Sequence, residues 1–132
     1  MRAGLRIGPK PGDADAQTLV LAMIETPAGL ENVEAICAVE GLDGVYIGPA
    51  DLSLALGGAA PGDPAIEAEF ENALVRIQTA AKRHGCIAAI HTPNGEAAKR
   101  RLDQGFTFVT ISGDLNHLGQ IAASQLRTAR GD

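Results

Sequence analysis

Four apolar runs of four to eight residues punctuate the chain, and between them the apolar residues change to helical spacing. The first, Thr18 to Glu25, is continuous rather than alternating, the pattern of a strand buried on both faces of a parallel sheet. Asp43 to Gly48, Cys86 to Ile90 and Phe106 to Ile111 repeat it. After the first run, Thr26 can cap a helix and Pro27 can occupy its first position, with Leu30, Val33, Ile36 and Cys37 following on one face until Gly41. Ala50 to Leu56 reads as a short helical turn closed by Gly57-Gly58. Asp63-Pro64 is again a cap followed by proline. Beyond it Ile66, Phe70, Leu74, Ile77 and Ala81 form one stripe of a long helix that stops at His84-Gly85. Thr92-Pro93 opens a third helix, stopped by Gln104-Gly105. Ser112-Gly113-Asp114 turns into a last one carrying Leu115, Leu118, Ile121, Ala122 and Leu126, with Arg127 and Arg130 where the helix dipole favours cations.

The order is four consecutive βα units, an α/β chain with a parallel sheet and helical crossovers. Residues 1–18, with Gly4, Gly8-Pro9, Pro11-Gly12 and Asp13, show neither period and read as an irregular lead-in to a domain spanning 19–132. An internal echo supports the count. Ala22-Met23-Ile24-Glu25-Thr26-Pro27-Ala28-Gly29 returns 66 positions later as Ala88-Ala89-Ile90-His91-Thr92-Pro93-Asn94-Gly95, with five matches in eight. Equivalent units would bring His91 out of its strand where Glu25 leaves its own, and in a βα barrel both would face the mouth at the strand C-termini.

Composition narrows the classes of function. At 132 residues, 45 % hydrophobic and 20 % charged, the chain is one globular domain's worth. A net charge of −5 argues against a nucleic-acid surface. No apolar run reaches the roughly 18 to 20 residues of a membrane span, and no signal-peptide core is evident, so the expected compartment is the cytosol. Cys37 and Cys86 lack metal-binding spacing and read as reduced, buried thiols.

The chemistry concentrates at two strand exits. Glu25 follows one apolar run, and Asp51 follows another through Gly48-Pro49-Ala50. Two carboxylates at neighbouring strand ends suit a hard divalent cation that keeps positions for water or a chelating substrate. Each acid also has an ordinary reading, Glu25 beside a helix dipole and Asp51 as a helix cap. Gly48 and Pro49 before a helix start would let backbone N–H groups approach a substrate carboxylate. Schiff-base chemistry lacks an amine, because Lys10, Lys82 and Lys99 fall in the lead-in and on helices. Ser53 and Ser112 lack a nearby base and read as cap or turn residues. There is no Gly-x-Gly-x-x-Gly fingerprint and no P-loop, so a nucleotide is not signalled. His84 and His117 read as helix-end and solvated residues. His91 alone is a candidate catalytic histidine.

The residues carrying this constellation resemble a known family. Met23-Ile24-Glu25-Thr26 with Gly29 and Asn32, then Gly41-Leu42-Asp43-Gly44-Val45-Tyr46-Ile47-Gly48-Pro49-Ala50-Asp51-Leu52-Ser53 and Leu56-Gly57, are similar to the HpcH/HpaI aldolases. The similarity runs from about residue 19 onward, including Ala98-Lys99-Arg100 and the Gly105 to Gly113 region. The resemblance implies a (β/α)8 TIM barrel and a divalent-metal-dependent (Mg, Mn or Co) class II aldolase of the 4-hydroxy-2-oxoheptanedioate or 2-dehydro-3-deoxyglucarate type. Its substrates would be 4-hydroxy-2-oxo acids, cleaved to pyruvate or a related 2-oxo acid and an aldehyde.

By the same resemblance Glu25 and Asp51 match the metal ligands, and Gly48, Pro49, Ala50 and Asp51 match the segment holding the pyruvate carboxylate. Met23 stands where many members carry a polar Gln. A complete barrel has eight units in about 250 residues, and the four here match the family's C-terminal half. The family's catalytic His and substrate-polarising Arg belong to the other half. The expectation is a half-barrel that works as a homo-oligomer or with an N-terminal half-barrel. The alternatives are a non-catalytic chain that keeps metal and oxo-acid binding, and a relative of the citrate-lyase β-subunit or malyl-CoA-lyase group.

Overall fold

A computed structural model describes residues 11–131, and Gly4, Gly8-Pro9 and Lys10 of the lead-in lie outside them. Two single 3-10 turns, Pro11–Asp13 and Asp15–Gln17, precede the first strand. The sheet has strands β1 (Leu21–Ile24), β2 (Gly44–Ile47), β3 (Ile87–Thr92) and β4 (Phe108–Ile111), all parallel and in chain order. Among the described residues, β1 and β4 are therefore both edges. Asp43 pins the first pairing, its carboxylate accepting the Val20 N–H at 2.7 Å while its own N–H donates to the Val20 carbonyl at 3.0 Å.

The helices are α1 (Pro27–Glu31), α2 (Val33–Cys37), α3 (Pro49–Ala55), α4 (Glu67–Arg83), α5 (Gly95–Asp103) and α6 (Asp114–Arg130). Thr26 caps α1 by accepting the Gly29 N–H at 3.0 Å, as the Thr-Pro pair predicts. The single helix expected from Pro27 to Gly41 is instead two. Asn32 leaves the helical region at ψ 11°, and its side-chain amide competes for the Ala28 carbonyl at 2.8 Å. Gly85 and Gly105 end α4 and α5 with φ of +68° and +100°, a conformation that costs glycine least. The long helix begins one turn later than its cap. Asp63 accepts the Ala65 N–H into a 3-10 turn, Pro64–Ile66, which leads directly into α4.

The core lies between one face of the sheet and these helices. Ile24, Val45, Ile47, Ala88 and Ile90 point into it from the strands and meet Val33, Cys37, Leu52, Leu74, Ile77, Ala80 and Ala81. Each fully buried Ile or Leu contributes about 1.5–3 kcal/mol of transfer free energy. The predicted α4 stripe is this inner row, with Phe70 packed at its margin. Gly44 sits so tightly against β3 that a Cβ would stand 2.5 Å from the Ile87 carbonyl oxygen.

The other face of the sheet is open. Met23 is 54 % exposed and Phe108 41 %, although they occupy inward-facing positions of what would be a barrel wall. The last helix forms as expected, but its stripe is uncovered: Leu115, Leu118, Ile121 and Leu126 are all exposed, and α6 buries no residue. Its amphipathicity gives a helix without a partner element among the described residues. Cys37 is buried and Cys86 half-buried, both as free thiols. The Cys86 thiol donates to the Cys37 carbonyl at 3.4 Å.

Candidate metal and oxo-acid site

The register of the sheet explains why the candidate residues converge. Ile24, Ile47 and Ile90 are paired across β1, β2 and β3, so the next residues, Glu25, Gly48 and His91, form one row, which Thr110 of β4 continues. Their parity is opposite to that of the buried isoleucines, so the row faces the open side. The internal echo is thus structural, since Glu25 and His91 occupy equivalent levels. One detail differs from expectation. The third strand runs two residues beyond Ile90, placing His91 inside it, because Thr92 stays in the ladder and donates its hydroxyl to the Thr110 carbonyl at 2.9 Å. Asn94, not Thr92, caps α5 by accepting the Ala97 N–H at 2.9 Å.

Glu25 lies against Gly48. A Cβ built on that glycine would stand 2.5 Å from Glu25 Oε2, so only a residue without a side chain leaves room for the carboxylate in this position. Gly48 is also the residue before α3, with Pro49 at the first helical position and Asp51 in the first turn. Asp51 is consequently not the cap of α3, one of its two readings from sequence. No side chain caps this helix, and its first internal bond runs from Leu52 N–H to the Gly48 carbonyl at 2.9 Å. The N–H groups of Ala50 and Asp51 have no helical acceptor and remain available to an anion. Glu25 is half-buried and Asp51 exposed.

These features form a fit test for a divalent ion. Glu25 lies against the residue before α3 and Asp51 stands in the first turn of the same helix, so two carboxylates flank one helix start, with a glycine cradle beside one of them. Among the described residues no group of three or more His, Cys, Asp or Glu side chains is arranged around a common metal position. The pair fits a cation that takes its other ligands from water and substrate, which is ordinary for hard ions.

A cavity of about 550 Å³ opens beside this row and touches Pro49, Ala50 and His91, but not Met23, Glu25, Gly48 or Asp51. It extends under the loop before α4 to Arg100 and Arg101. Arg101 is buried, donates to the Glu71 carboxylate and to Gln104 Oε1, both at 2.8 Å, and lies 5.9 Å from the centre of the Phe70 ring. Asp63, on the rim, is held below the usual carboxylate range by the N–H groups of Ala59 and Ala65. Ser53 is buried inside α3, not at a cap or turn as its sequence reading had it, and it ties the same loop to the helix by accepting the Gly62 N–H at 3.3 Å. His84 pairs with Glu34 at 3.1 Å at the end of α4, and His117 is exposed, so neither joins the site.

Two polar residues of the open face escaped the sequence reading. Tyr46 Oη and Thr110 Oγ1 are in hydrogen-bond contact, and His91 Nδ1 lies 3.0 Å from the same threonine oxygen. The signal that could have found them is parity, for both alternate in step with His91 along strands already recognised.

The profile of one family, HpcH/HpaI aldolase/citrate lyase, matches residues 2–120. The chain belongs to this family. A hydroxypyruvate/pyruvate aldolase of Pseudomonas aeruginosa is 45 % identical over 106 residues, 80 % of this chain and 38 % of that protein. A 4-hydroxy-2-oxo-heptane-1,7-dioate aldolase of Salmonella arizonae is 41 % identical over 109 residues, covering 82 % and 40 %. Among solved structures, an HpcH/HpaI aldolase/citrate lyase family protein from Burkholderia cenocepacia superposes with a TM-score of 0.78 at 31 % identity, covering 90 % of this chain and 45 % of that one. The HpcH/HpaI chain therefore spans less than half the length of these relatives. Its four βα units correspond to about half of their barrels.

Proposed function

We propose that this chain provides the metal-binding and oxo-acid-binding half of a class II aldolase that cleaves 4-hydroxy-2-oxo acids to pyruvate, or a related 2-oxo acid, and an aldehyde. The observation that carries the reading is the seating of Glu25 over Gly48, at the helix start that holds Asp51. Glu25 and Asp51 would hold a divalent cation such as Mg²⁺, Mn²⁺ or Co²⁺. When bound, the ion supplies positive charge for the keto and carboxylate oxygens of the substrate and for the charge that develops there on C–C cleavage. The chain's own residues do the rest. Gly48 and Pro49 bring the backbone close, and the free N–H groups of Ala50 and Asp51 would receive the substrate carboxylate. Met23 presents an apolar side chain beside Glu25 on the open face, offering van der Waals contact but no hydrogen bond to the oxo acid.

The relatives' names support the reaction class, one being an aldolase of hydroxypyruvate and pyruvate and another of a 4-hydroxy-2-oxo dioate. The exposed Met23 and Phe108, the uncovered stripe of α6 and the two sheet edges support a partner of the same architecture, four further βα units that close the barrel. The chain alone then binds the cation and oxo acid, and turnover requires the completed mouth. Size-exclusion chromatography combined with a retro-aldol assay tests this. A monomeric chain that turns over by itself would overturn the need for a partner. Failure to bind cation or oxo acid in any assembly would overturn the aldolase reading.

A further inference from the structure

Three polar side chains from β2, β3 and β4 are linked on the open face, outside the carboxylate pair. Tyr46 Oη lies 2.5 Å from Thr110 Oγ1, and Thr110 Oγ1 lies 3.0 Å from His91 Nδ1. His91 and Thr110 meet because they are register partners. Tyr46 is two strands from Thr110, about 10 Å at ordinary strand spacing, and reaches it across Ala89, its own register partner on β3. Ala89 is fully buried although it belongs to the open face, as a residue beneath a crossing ring would be.

The threonine hydroxyl has one hydrogen and two partners, so the chain must run one way. Phenol is the more acidic hydroxyl and an imidazole lone pair the better acceptor. The direction that uses both is Tyr46 O–H to Thr110 Oγ1, then Thr110 O–H to His91 Nδ1. The opposite direction would end on a phenolic oxygen and leave the phenol hydrogen without a protein acceptor among the described residues. Successive donors of this kind also polarise one another. His91 Nε2 has no protein partner among the described residues, and His91 lines the 550 Å³ cavity with Pro49, Ala50, Pro93 and Arg100.

We propose that Tyr46 and Thr110 are positioning residues that hold the His91 imidazole in its Nε2–H tautomer, making Nε2–H a fixed hydrogen-bond donor that favours aldehydes bearing a hydroxyl or carboxylate over alkyl aldehydes. The selectivity rests on the aldolase reading, while the positioning stands apart from it. An oriented polar donor discriminates, because a substrate without the matching oxygen leaves it unpaired.

The test begins with the full chain labelled with ¹⁵N, in which long-range ¹H–¹⁵N spectra read which ring nitrogen of His91 carries the proton. The expected result is Nε2–H in the wild type, a mixture of tautomers in Thr110→Val, and recovery of the single tautomer in Thr110→Ser, which keeps the hydroxyl. Tyr46→Phe should shift the population less than Thr110→Val. An Nδ1–H tautomer in the wild type, or one unchanged by both Thr110→Val and Tyr46→Phe, overturns the positioning. In an assembly competent for turnover, His91→Leu should cut the kcat/KM preference for a hydroxyaldehyde over the alkyl aldehyde of equal length about tenfold, the size of one hydrogen bond. KM for pyruvate should stay unchanged. A preference that survives the substitution overturns the selectivity. If no assembly turns over any aldehyde, the aldolase reading and the selectivity fall together, and the spectra alone decide the positioning.

Discussion

The carboxylate of Glu25 and the α-carbon of Gly48 are in such close contact that a methyl group on the glycine would stand 2.5 Å from Glu25 Oε2. Gly48 has φ −88° and ψ 92°, which an alanine adopts without strain. The glycine is therefore required by its neighbour rather than by its own backbone. Gly48→Ala should leave the fold standing and displace Glu25. The expected outcome is a loss of Mn²⁺ affinity of about 10- to 100-fold, the range for disturbing a group that orients a metal ligand. Titration calorimetry alongside circular dichroism checks it, and an unchanged affinity would mean that the seating is incidental.

Arg101 holds α5 to α4 through Glu71, with Gln104 at the end of its own helix as a second acceptor, and is the one charged side chain buried among the described residues. Arg101→Ala removes the donor to a half-exposed carboxylate and uncovers one face of Phe70. The expected cost is about 1–3 kcal/mol, as for a charge-assisted hydrogen bond, read from the urea midpoint. Glu71→Gln keeps an acceptor for the guanidinium and should cost less.

Burial, with Cys86 beside it, pushes the Cys37 thiol up to about 11. A thiol raised in the folded state stays protonated while the unfolded chain ionises near its ordinary value of 9.0. Its stabilisation is thus fully present below that value and is lost as pH rises towards 11. At pH 8 an alkylating reagent should modify Cys86 well before Cys37 in the folded chain, as mass spectrometry of the digested protein would show. Above pH 9 stability should fall, and Cys37→Ala should flatten that fall.

Much of the architecture was legible because parallel strands announce themselves as short apolar runs, although these strands were expected to be buried on both faces and are buried on one only, and because cap-proline pairs lie near helix starts. Thr26-Pro27 opened α1, Asp63-Pro64 opened a 3-10 turn just ahead of α4, and Thr92-Pro93 opened no helix, since Asn94 caps α5; the echo between residues 22–29 and 88–95 set Glu25 and His91 at one level. The split at Asn32 was not legible, because helical spacing continues through it and only the competition of its amide for the Ala28 carbonyl shows the break. Nor was the two-residue extension of β3, which depends on pairing with β4 rather than on the local pattern. At the site, the pairing of Glu25 with the Gly48 helix start was foreseeable from two strand exits. The contact among Tyr46, Thr110 and His91 was not, since it joins three strands and requires the register of all of them.

The central claim is that Glu25 and Asp51 together hold a divalent cation on which oxo-acid binding depends. Calorimetric titration of Mn²⁺ into the chain, followed by pyruvate, tests it directly in the wild type, Glu25→Gln and Asp51→Asn. The account predicts one cation per chain in the wild type, pyruvate binding only after the cation, and loss of both in either variant with the fold retained. Cation binding of equal strength in all three proteins, or pyruvate binding indifferent to the cation, would contradict it.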